Sequence, residues 1–152
     1  MSARPALAVE LDAIGDTRPL WLAWLASAGG VLGVDAATVP VDRADAAAAL
    51  DSGGAGNWRV LLARFAEDHA PAYLRRDAAT SAALQSLAAA GVTLGVFTDA
   101  PEPLANVALA QLGATRRVAA VETGAGALDR LLATIGADAE VVRSRDDLLS
   151  RL

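Results

Sequence analysis

The chain has 152 residues, 54% of them apolar and 4% aromatic, with a formal charge of −5. That length accommodates one domain with a real core, or a smaller core plus an insertion. With neither cysteine nor lysine it has no disulfides, thiolate metal sites, Schiff bases or lysine-held phosphate, and its acidity disfavours general nucleic-acid binding.

Residues 1–5 lack an apolar targeting core and lead straight into a first strand at 6–11, so no signal peptide is expected. Thr17 is placed to cap a helix whose Pro19 falls in the first turn, where no internal hydrogen bond is lost. Along it Leu20, Trp21, Trp24, Leu25 and Ala28 recur at helical spacing, and Gly29-Gly30 or Gly33 can end it. The run 19–34 is uncharged but falls short of the ~20 apolar residues of a membrane-spanning helix. A soluble, cytoplasmic protein is expected. A second helix is expected over 43–50, with Asp42 as its cap and Ser52-Gly53-Gly54 as its stop. Asn57 then caps a third helix carrying Trp58, Leu61, Leu62 and Phe65, which Pro71 interrupts. Nothing between Thr17 and Arg76 reads as a strand.

From Asp77 onward helices and strands alternate. A helix reaches Ala90 and stops at Gly91, and a strand follows at 92–97. The next helix runs through Leu112 to a stop at Gly113, before a strand at about 117–121. Gly124-Ala125-Gly126 opens a helix to Ile135, a strand follows at 139–142, and Ser144 with Asp147 caps a last helix. Such alternation implies parallel βαβ units, with short apolar strands covered on both faces. Ligand sites in these sheets lie beyond the carboxyl ends of the strands. Here that edge comprises 10–17, 98–101, 122–126 and 143–147.

The edge carries a recognisable pattern. ALAVELDAIGDT at 6–17 contains Glu10-Leu11-Asp12, Thr98 closes the second strand in GVTLGVFTDAP, and a helical block follows the first strand. In this order of elements the chain resembles the haloacid dehalogenase-like (HAD) superfamily, with a cap as in its phosphoglycolate phosphatase-like members and with degenerate motifs. The resemblance implies an α/β fold with a three-layer, Rossmann-like parallel sheet of about four strands. Its core would be 1–17 and 77–152, and an all-helical cap insertion would occupy 18–76. The family's chemistry uses an aspartate nucleophile, a second aspartate as acid/base, a magnesium ion, and a hydroxyl and a lysine on the phosphoryl oxygens. Carried onto this chain, Glu10 stands at the nucleophile, Asp12 at the acid/base and Asp16-Thr17 where the cap begins. Thr98 stands at the phosphate-binding hydroxyl, Asp99 where asparagine is common, and Arg143 at the first metal-binding acid. The Gly-Thr pair of the first motif is missing, its loop is one residue short, and no lysine exists.

Each of these residues also has a plainer reading. Glu10 is a metal ligand or simply a strand-end acid, because its extra methylene displaces a carboxylate that in-line attack needs well placed. Asp12 is an acid/base or a loop cap, and Thr98 a phosphate ligand or a turn hydroxyl. Gly124, with Ala125 and Gly126, forms a backbone anion site or an ordinary strand-to-helix turn. Asn57 looks over the site from the cap or only starts a helix; Trp21 and Trp24 belong to a core or an interface. His69 is a surface or capping residue. Arg143 either points to solvent or pairs with Glu10 or Asp12, since clustered carboxylates at a buried strand end need compensation. In the second case it fills the metal position with a fixed positive charge.

The leading expectation is a pseudophosphatase without a cofactor, a binding or regulatory module for a small phosphorylated ligand or a protein partner. The alternative is a magnesium-dependent hydrolase of a small phosphorylated metabolite, with Glu10 and Asp12 catalytic. A homodimer built on the tryptophan-bearing helices is the third reading. Neither nucleic acid nor a membrane is expected as a partner.

Overall fold

In the computed structural model, which describes residues 5–152, four parallel strands form one sheet in the order β3-β2-β1-β4. They are β1 (Ala6–Glu10), β2 (Thr93–Thr98), β3 (Ala120–Thr123) and β4 (Glu140–Val142). The reading of 1–5 as lacking a leader falls largely outside the described residues. β1 lies centrally, with Glu10 opposite Phe97 on one side and Val9 opposite Val142 on the other. The order of connection reverses between β1 and β4, the position where such sheets open a crevice.

The three-layer, Rossmann-like α/β fold expected from the strand–helix alternation is present. Leu7, Val9, Leu94, Val96 and Val142 face the larger core, together with buried residues of α5 (Ala78–Ala89), α6 (Glu102–Gln111) and α8 (Arg145–Ser150). Ala8 and Phe97, one pleat out of phase, face α7 (Ala127–Ile135) through Ala127 and Leu131. Gly95 shares that face, and a Cβ there would come within 2.7 Å of Leu131 Cδ1. α7 can approach the sheet so closely only over a glycine.

After β1 the chain makes a single turn, α1 (Leu11–Ile14), before α2 (Arg18–Leu32), α3 (Arg43–Ser52) and α4 (Trp58–Tyr73). The block 18–76 contains no strand, and its buried Trp24, Trp58, Leu62 and Leu50 join the same core as the sheet. α4 packs along both α2 and α6. Among the described residues no helix is long and apolar enough to cross a membrane.

Several boundaries depart from the sequence expectation. Thr17 does not cap α2 with its side chain; its hydroxyl donates to Asp12 Oδ1 at 2.6 Å. Asn57 makes no capping bond either, whereas Asp42 does, accepting from the Asp45 amide. Pro71 does not interrupt α4, which continues to Tyr73. Its missing N–H costs one bond in the last turn, and the Leu74 amide closes that turn on the Ala70 carbonyl at 2.7 Å. The third strand begins at Ala120, because Thr115–Arg117 coil into a 3-10 turn. Register with β2 then starts at Gly95 opposite Ala120.

Candidate functional site

The carboxyl edge is organised by a residue of the insertion, Arg43. At the head of α3 its side chain is only 5% exposed, and all three guanidinium nitrogens are engaged. Nη2 lies 2.9 Å from Asp12 Oδ2, Nε donates to Asp99 Oδ1 at 2.9 Å, and Nη1 donates to Thr17 Oγ1 at 2.6 Å. A longer contact of 3.5 Å reaches Thr98 Oγ1. The Arg43 amide also donates to Asp99 Oδ2 at 3.0 Å, which places a carboxylate at the positive end of α3. A buried guanidinium is tolerated only when paired and fully hydrogen-bonded. Here each guanidinium nitrogen has a partner, and no buried side-chain nitrogen or oxygen among the described residues lacks one.

Asp12 is correspondingly saturated. Oδ1 accepts from the Thr17 amide at 2.9 Å and from the Thr17 hydroxyl, while Oδ2 faces Arg43 and, at 3.5 Å, Arg18 Nε. Thr98 Oγ1 accepts from the Ala100 amide at 3.1 Å, so its hydroxyl closes the turn that follows β2. Asp99 is bound to Arg43 on both oxygens.

Glu10 lies two residues from Asp12 but belongs to a different arrangement. It stands on the α7 face of the sheet, in line with Ala8 and opposite Phe97. Arg143 Nη1 reaches its Oε2 at 3.3 Å, with the guanidinium 5.3 Å from the centre of the Phe97 ring. Of the two partners expected for Arg143, Glu10 is the one in reach, while Asp12 is taken by Arg43; Arg143 itself is 62% exposed.

Between the two pairs runs a cleft of about 970 Å³, lined by Glu10, Asp12, Thr98, Asp99, Gly124 and Arg143. From the insertion it is faced by Trp21, Leu22 and residues 41–45. Asn57 is not among the lining residues. The Trp58 that follows it is buried and donates Nε1 to Asp51 Oδ1 at 2.9 Å, which turns the head of α4 toward the end of α3. The Gly124 amide donates to the Thr98 carbonyl at 2.9 Å, so it is not free to hold an anion.

The donor set does not fit a magnesium ion. Glu10 and Asp12, the two acids at the carboxyl end of β1, each face a guanidinium. Among the described residues no three histidine, cysteine, aspartate or glutamate side chains converge on one point. A dication would have to displace the buried Arg43 guanidinium from Asp12 and compete with Arg143 at Glu10.

No family model matches this chain, and no curated protein sequence does.

Sequence reasoning missed the role of Arg43. A signal for it exists: Arg43, Ala46 and Leu50 share one buried stripe of α3, so an arginine heads an otherwise apolar face.

Proposed function

We propose that the chain is a HAD-like pseudophosphatase domain, a binding or regulatory module whose phosphoryl-transfer site is filled by its own arginines. The support is the helical insertion directly after a central first strand, together with the losses at the edge: glutamate for the nucleophile, arginine for a metal acid, no lysine. The observation that carries the reading is Arg43, whose buried guanidinium joins Asp12 to Asp99. An acid/base must exchange a proton with a leaving group within hydrogen-bond reach. Asp12 instead spends its oxygens on Thr17, Arg43 and Arg18.

A magnesium-dependent assay over a panel of small phosphate esters tests this. Wild type and Asp12→Asn are expected to give the same background rate. Turnover by wild type that Asp12→Asn abolishes would overturn the proposal in favour of a hydrolase of a small phosphorylated metabolite.

A further inference from the structure

The geometry points to a guanidinium-binding site at the carboxyl edge, one that Arg43 occupies as a tethered internal ligand and that an external guanidinium can take in its place. Three observations converge. The first is the receptor itself: carboxylates from two separate elements, Asp12 and Asp99, and the Thr17 hydroxyl match all three nitrogens of one planar fork. The second is the field of the cleft. Its lining carries six carboxylates, from Glu10, Asp12, Asp42, Asp45, Asp99 and Asp129, against the three guanidinium groups of Arg18, Arg43 and Arg143. A cation entering it is favoured and an anion is not.

The third observation is how the internal ligand is mounted. α3 is suspended between the segment 33–42, whose only regular structure is one 3-10 turn, and the loop 53–56, where Gly54 and Gly56 have φ of 70° and 61°. Among the described residues, every hydrogen bond from α3 to the carboxyl edge runs through Arg43. Exchanging the guanidinium breaks all of these bonds except that of the Arg43 amide to Asp99 Oδ2, which loosens the head of α3 and leaves its tie to α4, Asp51 to Trp58, in place. A tethered ligand competes at an effective concentration in the millimolar range or above. It therefore scales the apparent affinity for any external ligand down by the fraction of time the site is open.

The inference rests on the reading of the domain as a binding module. Phosphate-ester turnover would sink that reading, whereas failure of displacement without turnover sinks the guanidinium site alone. The test is amide hydrogen exchange on the full-length wild-type protein with ethylguanidinium chloride. Ethylammonium chloride at equal concentration is the ionic control, and inorganic phosphate is the anionic one. Ethylguanidinium is expected to speed exchange in 43–52 while β1 and β2 stay protected. The other two additives should leave α3 unchanged. The tripeptide Gly-Gly-Arg acting at lower concentration than ethylguanidinium assigns the ligand to an arginine of a polypeptide; equal potency assigns it to a small guanidinium compound.

Arg43→Ala supplies the vacant receptor. Ethylguanidinium should raise its melting temperature with half-saturation at least ~10-fold below the displacement midpoint in wild type. If that variant does not fold, Arg43→Lys replaces the fork by a point charge, and displacement should need less ethylguanidinium than in wild type. Exchange in α3 that is unchanged by ethylguanidinium, or raised equally by ethylammonium or by phosphate, overturns the proposal.

Discussion

Asp12 and Glu10 leave the same strand two residues apart, and each is matched with an arginine, yet the two pairs are built differently. Asp12 meets Arg43 where the side chains are 9% and 5% exposed, and the Thr17 amide, the Thr17 hydroxyl and the Asp99 carboxylate complete the network. Glu10 meets Arg143 at 3.3 Å in a single contact, with the arginine largely in solvent. Burial makes the difference. In the first pair both charges have left water, so each depends on the other and the insertion depends on both. In the second, water replaces whichever partner is removed.

The largest expected effect separates the two pairs directly. Arg43→Ala should cost about 3–5 kcal/mol of unfolding free energy, because it strands Asp12 at a buried edge. Urea denaturation measures this, and a loss as small as that of a surface substitution would erase the distinction. Arg143→Ala or Glu10→Gln should cost only about 0–1 kcal/mol, with part of that loss removed by 1 M salt. A large, salt-independent loss at Arg143 would make the two pairs equivalent.

The smallest effect extends the comparison to ion pairs remote from the cleft. Arg59, with help from Trp58 Nε1, holds the Asp51 carboxyl down at about 2, and Arg145 with Thr80 does the same for Asp77. A folded-state pKa below the unfolded one means that the unfolded chain binds more protons in this range. These groups therefore stabilise the fold above the ordinary carboxylate range, and the contribution fades as pH falls from about 4 toward 2. Asp51→Asn should flatten the acid limb of a stability-versus-pH curve without changing its neutral plateau slope. An unchanged acid limb would remove Asp51 from that account.

What was legible in the sequence followed local rules. Alternating apolar runs and glycine stops placed four strands and their crossover helices, and with them the carboxyl edge and its residues. Charge compensation points Arg143 to Glu10 or Asp12, and the strand order, with β4 beside β1, decides for Glu10. Local rules failed where tertiary placement decides. Asp42-Arg43 reads as an ordinary helix start, and only the path of the insertion lays that start over Asp12 and Asp99. For Asn57 the sequence leaves two readings open, over the site or only at a helix start, and burial of Trp58 against α3 leaves it outside the cleft. The third strand is offset because its apolar run reads as starting at about Arg117, while Thr115–Arg117 coil into a 3-10 turn.

The central claim is that the insertion is held on the carboxyl edge by the mutual dependence of Arg43 and Asp12. A double-mutant cycle of Arg43→Ala and Asp12→Ala, read by urea unfolding, tests it most directly. A coupling free energy of about 2 kcal/mol or more is expected, the two losses being far from additive. Additivity within about 0.5 kcal/mol would contradict the claim.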